Sequence, residues 1–146
     1  FPLDTNDVVT AWVPAQPTPI DMGPLSFAYP LNVHELVNAV TFEKTGTGYD
    51  RGVSEVFKKN GVTVNETPFE LGEVSFHHNL NFHTASQNRT SRSRVALANT
   101  YFRDGARVIN NPTMVSGDWQ KFMPDINPGD VAASPLNPIC WPVDDK

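Results

Sequence analysis

The run GEVSFHHNLNFHTASQNRTSRSRVALANTYF, from Gly72 to Phe102, decides the fold. Its first part alternates. Val74, Phe76, His78, Leu80 and Phe82 fall on one parity, and Glu73, Ser75, His77, Asn79, Asn81 and His83 fall on the other. Successive side chains of an extended chain point to opposite faces, so this pattern predicts half-buried strand. A turn near His78-Asn79 would split it into a hairpin. The last part, SRVALANTYF, is the strongest strand in the sequence. It sets Arg94, Ala96, Ala98 and Thr100 against Val95, Leu97, Asn99 and Tyr101. His78 shares its parity with apolar residues, which predicts a hydrogen-bonded core imidazole. His77 points the other way, toward a cavity or its rim.

Working outward, strand signals dominate. VVTAWV (Val8–Val13) is β-rich and stops at Pro14, with Thr10 and Trp12 on one face and Val9, Ala11 and Val13 on the other. LSFAY (Leu25–Tyr29) reads as a short strand after a Pro-rich loop, and GVTVNETPFELG returns to alternation with turn residues. Two helical pieces interrupt them. Asn32 with Glu35 resembles a capping box ahead of LVNAV. In DRGVSEVFKKNG, Asp50 can cap, Val53, Val56 and Phe57 form an apolar stripe, Lys58 and Lys59 suit the C-terminal dipole, and Gly61 can end the helix. EKTGTGYD, between them, reads as a surface loop. After Val108 the chain is loop-rich, with six of its thirteen prolines between Pro112 and Pro142, so 109–146 is expected to be a Pro-rich tail of a single domain spanning 1–146. Short strands with few helices predict a mainly β sandwich or barrel, a jelly roll being one such architecture.

Composition bounds the function. The chain has 146 residues, enough for one domain with its own core. Its net charge of −5 argues against general binding of nucleic acid or a membrane. No apolar run approaches the roughly 18 residues of a membrane-spanning helix. Cys140 is the lone cysteine, which excludes an intrachain disulfide and a Cys-based zinc site and points to a cytoplasmic, reducing home. Two glycosylation sequons, at Asn65 and Asn88, read as accidents without a secretory signal.

Against that acidic background, three of the four histidines and three of the six arginines sit between His77 and Arg94. His83 falls at the end of one strand and Arg94 near the start of the next. If those strands adjoin, both side chains can enter one hollow. A neutral imidazole can bind a metal, and an inward guanidinium can hold a carboxylate through two parallel hydrogen bonds. Ala96 and Ala98 on the face of Arg94 would leave room for a bound anion. The plainer reading makes His83 a structural or surface histidine and the arginines a solvated turn. No Gly-rich phosphate loop and no G-x-S-x-G elbow is present.

The stretch Gly72–Phe102 resembles the phytanoyl-CoA dioxygenase family of iron(II)/2-oxoglutarate oxygenases. There a Gly-Asp/Glu turn, a His pair, the last metal histidine, a polar turn with Asn and the cosubstrate Arg follow in register. His83, Asn88 and Arg94 match that spacing. FPLDTNDVVTAWV, at the start, resembles the family's strand after its first metal motif, with Trp12 at the position of a Trp near the cosubstrate, and Gly23-Pro24-Leu25 fits the next turn. NPGDVAASPLNPICWP resembles the C-terminal tails of bacterial members. The resemblance covers most of the chain, least at Asn32–Glu70. It implies an incomplete double-stranded β-helix of the jelly-roll or cupin-like kind, with one or two short helices. It implies iron(II) at His83, and 2-oxoglutarate held by Arg94 beside Trp12 and Thr10. Its partner would be a small-molecule substrate that the motif does not identify.

One departure is large. The family's first two iron ligands come from a His-x-Asp motif, which in relatives lies just before the Phe-Pro that opens this chain. No His-x-Asp occurs here, and His34-Glu35-Leu36 does not supply one. One imidazole does not make the two-His-one-carboxylate face that iron(II) needs. The expectation is therefore the C-terminal part of a jelly-roll dioxygenase, inactive as the isolated chain. Ala85 is a lesser departure, at a place where some relatives carry a Ser. Two alternatives stand beside this one. The first is a non-catalytic or vestigial jelly-roll binding module. The second is a cupin-like metal-dependent isomerase, which would need His77, His83 and a carboxylate such as Glu73 to converge.

Overall fold

The computed structural model describes residues 1–30, 32–43, 45–110 and 119–141. Of the Pro-rich stretch 109–146, residues 111–118 and 142–146 lie outside the described residues. Among these residues six strands and two α-helices follow in order: β1 (Val8–Pro14), β2 (Leu25–Tyr29), α1 (Val33–Val37), α2 (Gly48–Asn60), β3 (Thr63–Glu66), β4 (Ser75–His78), β5 (His83–Ala85) and β6 (Ala96–Phe102). They form two three-stranded sheets, ordered β4-β1-β6 and β3-β2-β5. The protein is mainly β, an incomplete jelly roll; a full one has two four-stranded sheets.

By internal packing the chain divides into two units. One is Val9–Tyr101; the other joins Phe1–Val8 to Phe102–Lys146. In the second unit Leu3, Val8, Ala106, Val108, Trp119, Met123 and Ala132 are buried together. Leu3 bridges Val108, and Arg107 bridges Val131.

In the Val9–Tyr101 unit, β2 is the central strand of its sheet. Ala28 pairs with Val64 of β3, and Phe27 pairs with His83 of β5. Alternation sends Ala28 to one face of the sheet, where it packs with Val33 and Val37 of α1 and with Val53, Val56, Phe57, Val62 and Phe82. Each such aliphatic side chain, fully buried, contributes about 1.5–3 kcal/mol. The opposite face, carrying Leu25, Phe27, His83 and Ala85, is left for the site. The expected stripe of α2 is thus its packing face, and Gly61 ends the helix at φ 65° with its N–H on the Phe57 carbonyl.

The helix starts earlier than expected. Gly48 and Tyr49, expected in a surface loop, belong to it, and Asp50 sits in its first turn rather than capping it. A carboxylate in the first turn still complements the dipole. Asn32 and Glu35 do meet, Nδ2 to Oε2 at 3.4 Å, but the Asn32 side chain makes no cap bond; its backbone carbonyl accepts the Glu35 N–H at 3.0 Å.

On β4 the core position expected for His78 fails, whereas His77 lines a groove as its parity implied. β1 pairs with β4 in the register Thr10↔His77 and Ala11↔Phe76. His77 is 6% exposed and Phe76 68%. His78 is exposed, and its Nδ1 accepts the Leu80 N–H at 3.2 Å. It is hydrogen-bonded but is not a core group. Register decides this: a shift of one residue flips every side chain of a strand, and β1 brings Thr10 and Trp12, not Val9 and Ala11, to the side where His77 lies.

Candidate functional site

Three rings meet inside the Val9–Tyr101 unit. His77 comes from one sheet; Phe27 and His83 come from the other. The Phe27 ring lies 5.4 Å from His77 and 6.2 Å from His83, and the two imidazoles are 4.5 Å apart. Burial, and then the positive charge of His83, push the His77 pKa below its ordinary value. His83 itself is exposed. Its Nδ1 lies 2.8 Å from the Asn81 carbonyl. A carbonyl oxygen only accepts, so Nδ1 carries a proton, and in the neutral ring Nε2 then keeps its lone pair. That tautomer is the one a metal-binding histidine uses.

Arg94 lies two residues before β6. Its backbone neighbours are clamped to the end of β1: Gln16 Nε2 donates to the Ser93 carbonyl at 2.7 Å, and Ala15 N–H to the Val95 carbonyl at 3.0 Å. The two N–H groups of Arg94 Nη1 are shared among three carbonyls, those of Met22 (3.3 Å), Ser86 (3.2 Å) and Gly23. Among the described residues no carboxylate lies within ion-pair distance of this guanidinium; Arg103 and Asp7 form an exposed pair elsewhere. The tether is local and specific. Gly23 has φ 71°, and a Cβ there would collide with the Ser86 carbonyl and stand 3.0 Å from Arg94 Nη1.

His83 and the Arg94 tether are set along one stretch of chain. Ser86 follows His83 by three residues, about 10 Å of extended backbone. Thr10 pairs with His77 in register, and its hydroxyl meets that of Thr100 at 2.9 Å. Trp12 shares that face and sets its ring edge-on to Phe69 at 4.9 Å. Asn88 organises the intervening turn. Its Oδ1 accepts Thr90 N–H and Oγ1–H, and its Nδ2 donates to the Arg92 carbonyl. The structure thus gathers His83 and His77 directly, and fastens Arg94 beside the end of the Trp12 strand. Sequence reasoning missed the carbonyl tether from Met22, Gly23 and Ser86; the Gly-Pro-Leu turn was its visible trace.

The described residues do not complete an iron site. His83 fits the part of one ligand, but no cluster of three His, Cys, Asp or Glu that could hold a metal occurs among them. Glu73, the carboxylate a cupin-like isomerase would need, instead accepts the Glu70 N–H at 2.7 Å. Two grooves touch the site at its ends. One, of about 490 Å³, includes Asp21, Glu66, Ser86 and Arg89 in its wall. The other, of about 540 Å³, includes His34, His77 and Asn81. Cys140 is exposed, and no helix among the described residues is long and apolar enough to cross a membrane.

No family model and no curated protein matches the chain. Solved structures do. The chain is similar to the non-heme alpha ketoglutarate dependent carbocyclase SnoK from nogalamycin biosynthesis, with a TM-score of 0.67 at 22% identity, over 93% of this chain and 51% of that one. It is similar to the epimerase SnoN in complex with Fe3+, alpha ketoglutarate and nogalamycin RO, with a TM-score of 0.53 at 22% identity, over 74% of this chain and 40% of that one. The chain spans about half the length of SnoK. Its fold is that of these non-heme, alpha ketoglutarate dependent enzymes.

Proposed function

We propose that the chain carries the cosubstrate side of an iron(II)/2-oxoglutarate-dependent dioxygenase site of the phytanoyl-CoA dioxygenase type. Arg94 takes the far carboxylate of 2-oxoglutarate, Trp12 and Thr10 line its pocket, and His83 offers one imidazole to iron. The other two ligands, a His-x-Asp in that family, have no counterpart in this sequence. Iron, where bound, supplies the oxygen activation for hydroxylating a small organic molecule. No such step is assigned to this chain's residues alone, and the isolated chain is expected to show no turnover.

One observation carries the reading: the Arg94 guanidinium is held on three carbonyls and has no acidic partner among the described residues. Carbonyls fix Nη1 without neutralising the charge. Nη2 and Nε are left to donate in parallel to a carboxylate. Calorimetric titration with 2-oxoglutarate tests this. A hydrogen bond to a charged group contributes about 1.5–3 kcal/mol, so Arg94→Ala should weaken binding by about 10- to 100-fold, and Arg94→Lys should recover part of it. Equal affinity of Arg94→Ala and wild type would sink the assignment. The incomplete donor set also supports a second reading, a jelly-roll module that binds the organic acid without chemistry. Iron-dependent succinate formation, measured on a longer chain that includes a His-x-Asp segment, decides between the two.

A further inference from the structure

The groove of about 540 Å³ is bounded on one side by β4 and on the other by the segment around α1. β4 is an edge strand, so residues from both of its faces, Phe76 and His77, can reach the groove. Tyr29, Asn32 and His34 come from the end of β2 and the start of α1, and Asn81 from the turn before β5. Burial of Val33 and Val37 against Ala28 fixes α1, and with it the position of His34. His77 joins the groove to the site, because its ring lies 4.5 Å from His83.

We propose that this groove binds the organic substrate and selects a neutral, hydroxylated aromatic molecule. The proposal rests on the function proposed above only for the word substrate; the binding chemistry stands on the groove itself. Its volume suits a small ligand. Five rings line it, those of Tyr29, His34, Phe76, His77 and His78, and such walls favour offset or edge-on packing of another ring. Among the described residues no Asp, Glu, Lys or Arg is in the wall, so a charged ligand would lose water and gain no full counter-charge there. Two wall atoms, His34 Nδ1 and Asn81 Oδ1, are buried without a hydrogen-bond partner. An unmet buried polar atom costs about 1–3 kcal/mol, and a hydroxyl, which both donates and accepts, can satisfy either.

The test titrates the chain with 2-naphthol and, separately, with the 2-naphthoate anion at pH 7.5, reading the imidazole proton resonances of His34 and His77. Binding of 2-naphthol should move both resonances. Its affinity should fall at least fivefold in His34→Phe and in Asn81→Leu, and 2-naphthoate should bind at least fivefold more weakly. Either variant suffices if the other does not fold. The groove assignment is overturned if neither resonance moves, if the folded variants bind 2-naphthol as wild type does, or if the anion binds as well as the phenol. A parallel 2-oxoglutarate titration keeps the failures apart. Naphthol binding without 2-oxoglutarate binding removes the oxygenase reading and leaves the groove. The reverse result removes the groove alone.

Discussion

Gly23 holds the place of Arg94 by lacking a side chain. Its left-handed backbone costs an L-residue about 1–2 kcal/mol, and a methyl group would also strike the Ser86 carbonyl that receives Arg94. Gly23→Ala should lower unfolding stability by at least about 1–2 kcal/mol and weaken 2-oxoglutarate binding nearly as far as Arg94→Ala does, by denaturant titration and calorimetry. If affinity survives while stability drops, the tether is structural only. His77 yields a different residue-scale prediction. Burial, followed by the His83 charge, holds its folded pKa below the ordinary 6.5. The unfolded chain therefore binds the proton first as pH falls. Stability from the neutral imidazole is complete above about 6.5 and is lost on descending from there through the lower folded pKa. Melting temperatures at pH 7.5, 6.5 and 5.5 should fall for wild type and fall less for His77→Gln. Equal slopes would show that this imidazole contributes nothing to the acid sensitivity.

At the scale of elements, the exposed apolar face of the β4-β1-β6 sheet is the feature with consequences. β6 is an edge strand without proline or charge; Leu97 on it is 58% exposed, and Phe76 on β4, at the other edge of the sheet, is 68% exposed. Long, uncharged edges with apolar faces template association. Leu97→Lys and Phe76→Lys together should reduce light scattering of concentrated samples several-fold, at a stability change of about 0.5 kcal/mol or less per exposed site. Undiminished scattering would place the sticky surface elsewhere. These same strands show what the sequence made legible. Positions of β1, β2, β6 and α2 followed from alternation, Pro14, the Val53–Phe57 stripe and Gly61, because those signals are local. The expected placing of His83 at a strand end and Arg94 at a strand start did not hold: His83 opens β5, and Arg94 lies two residues before β6. Which face of β4 turns inward was not legible, because Phe76 and His77 exchange faces with one step of register against β1, a partner over sixty residues away. The carbonyl tether of Arg94 was hidden for the same reason. It is made by backbone atoms of Met22 and Gly23, which carry no sequence signal beyond one glycine.

The Val9–Tyr101 unit leaves apolar side chains uncovered: Val74, Phe76, Val95, Leu97 and Tyr101 are all exposed in it. Burial scales hydrophobic stabilisation at about 25 cal/mol per Å², while the entropy cost of ordering the chain grows with its length, not with its burial. A sheet face with these side chains in water gains stability whenever a second surface covers it, and covering by another copy is governed by concentration. The melting temperature should therefore rise by several degrees between about 5 and 500 µM protein, with sedimentation velocity showing a shift from monomer to larger species over the same range. Phe76→Lys with Leu97→Lys should flatten both trends, which ties the association to the β4-β1-β6 face rather than to aggregation of unfolded chains. A concentration-independent melting temperature and a single monomer peak throughout would mean that this surface is stable in water, and that its exposed side chains drive no association.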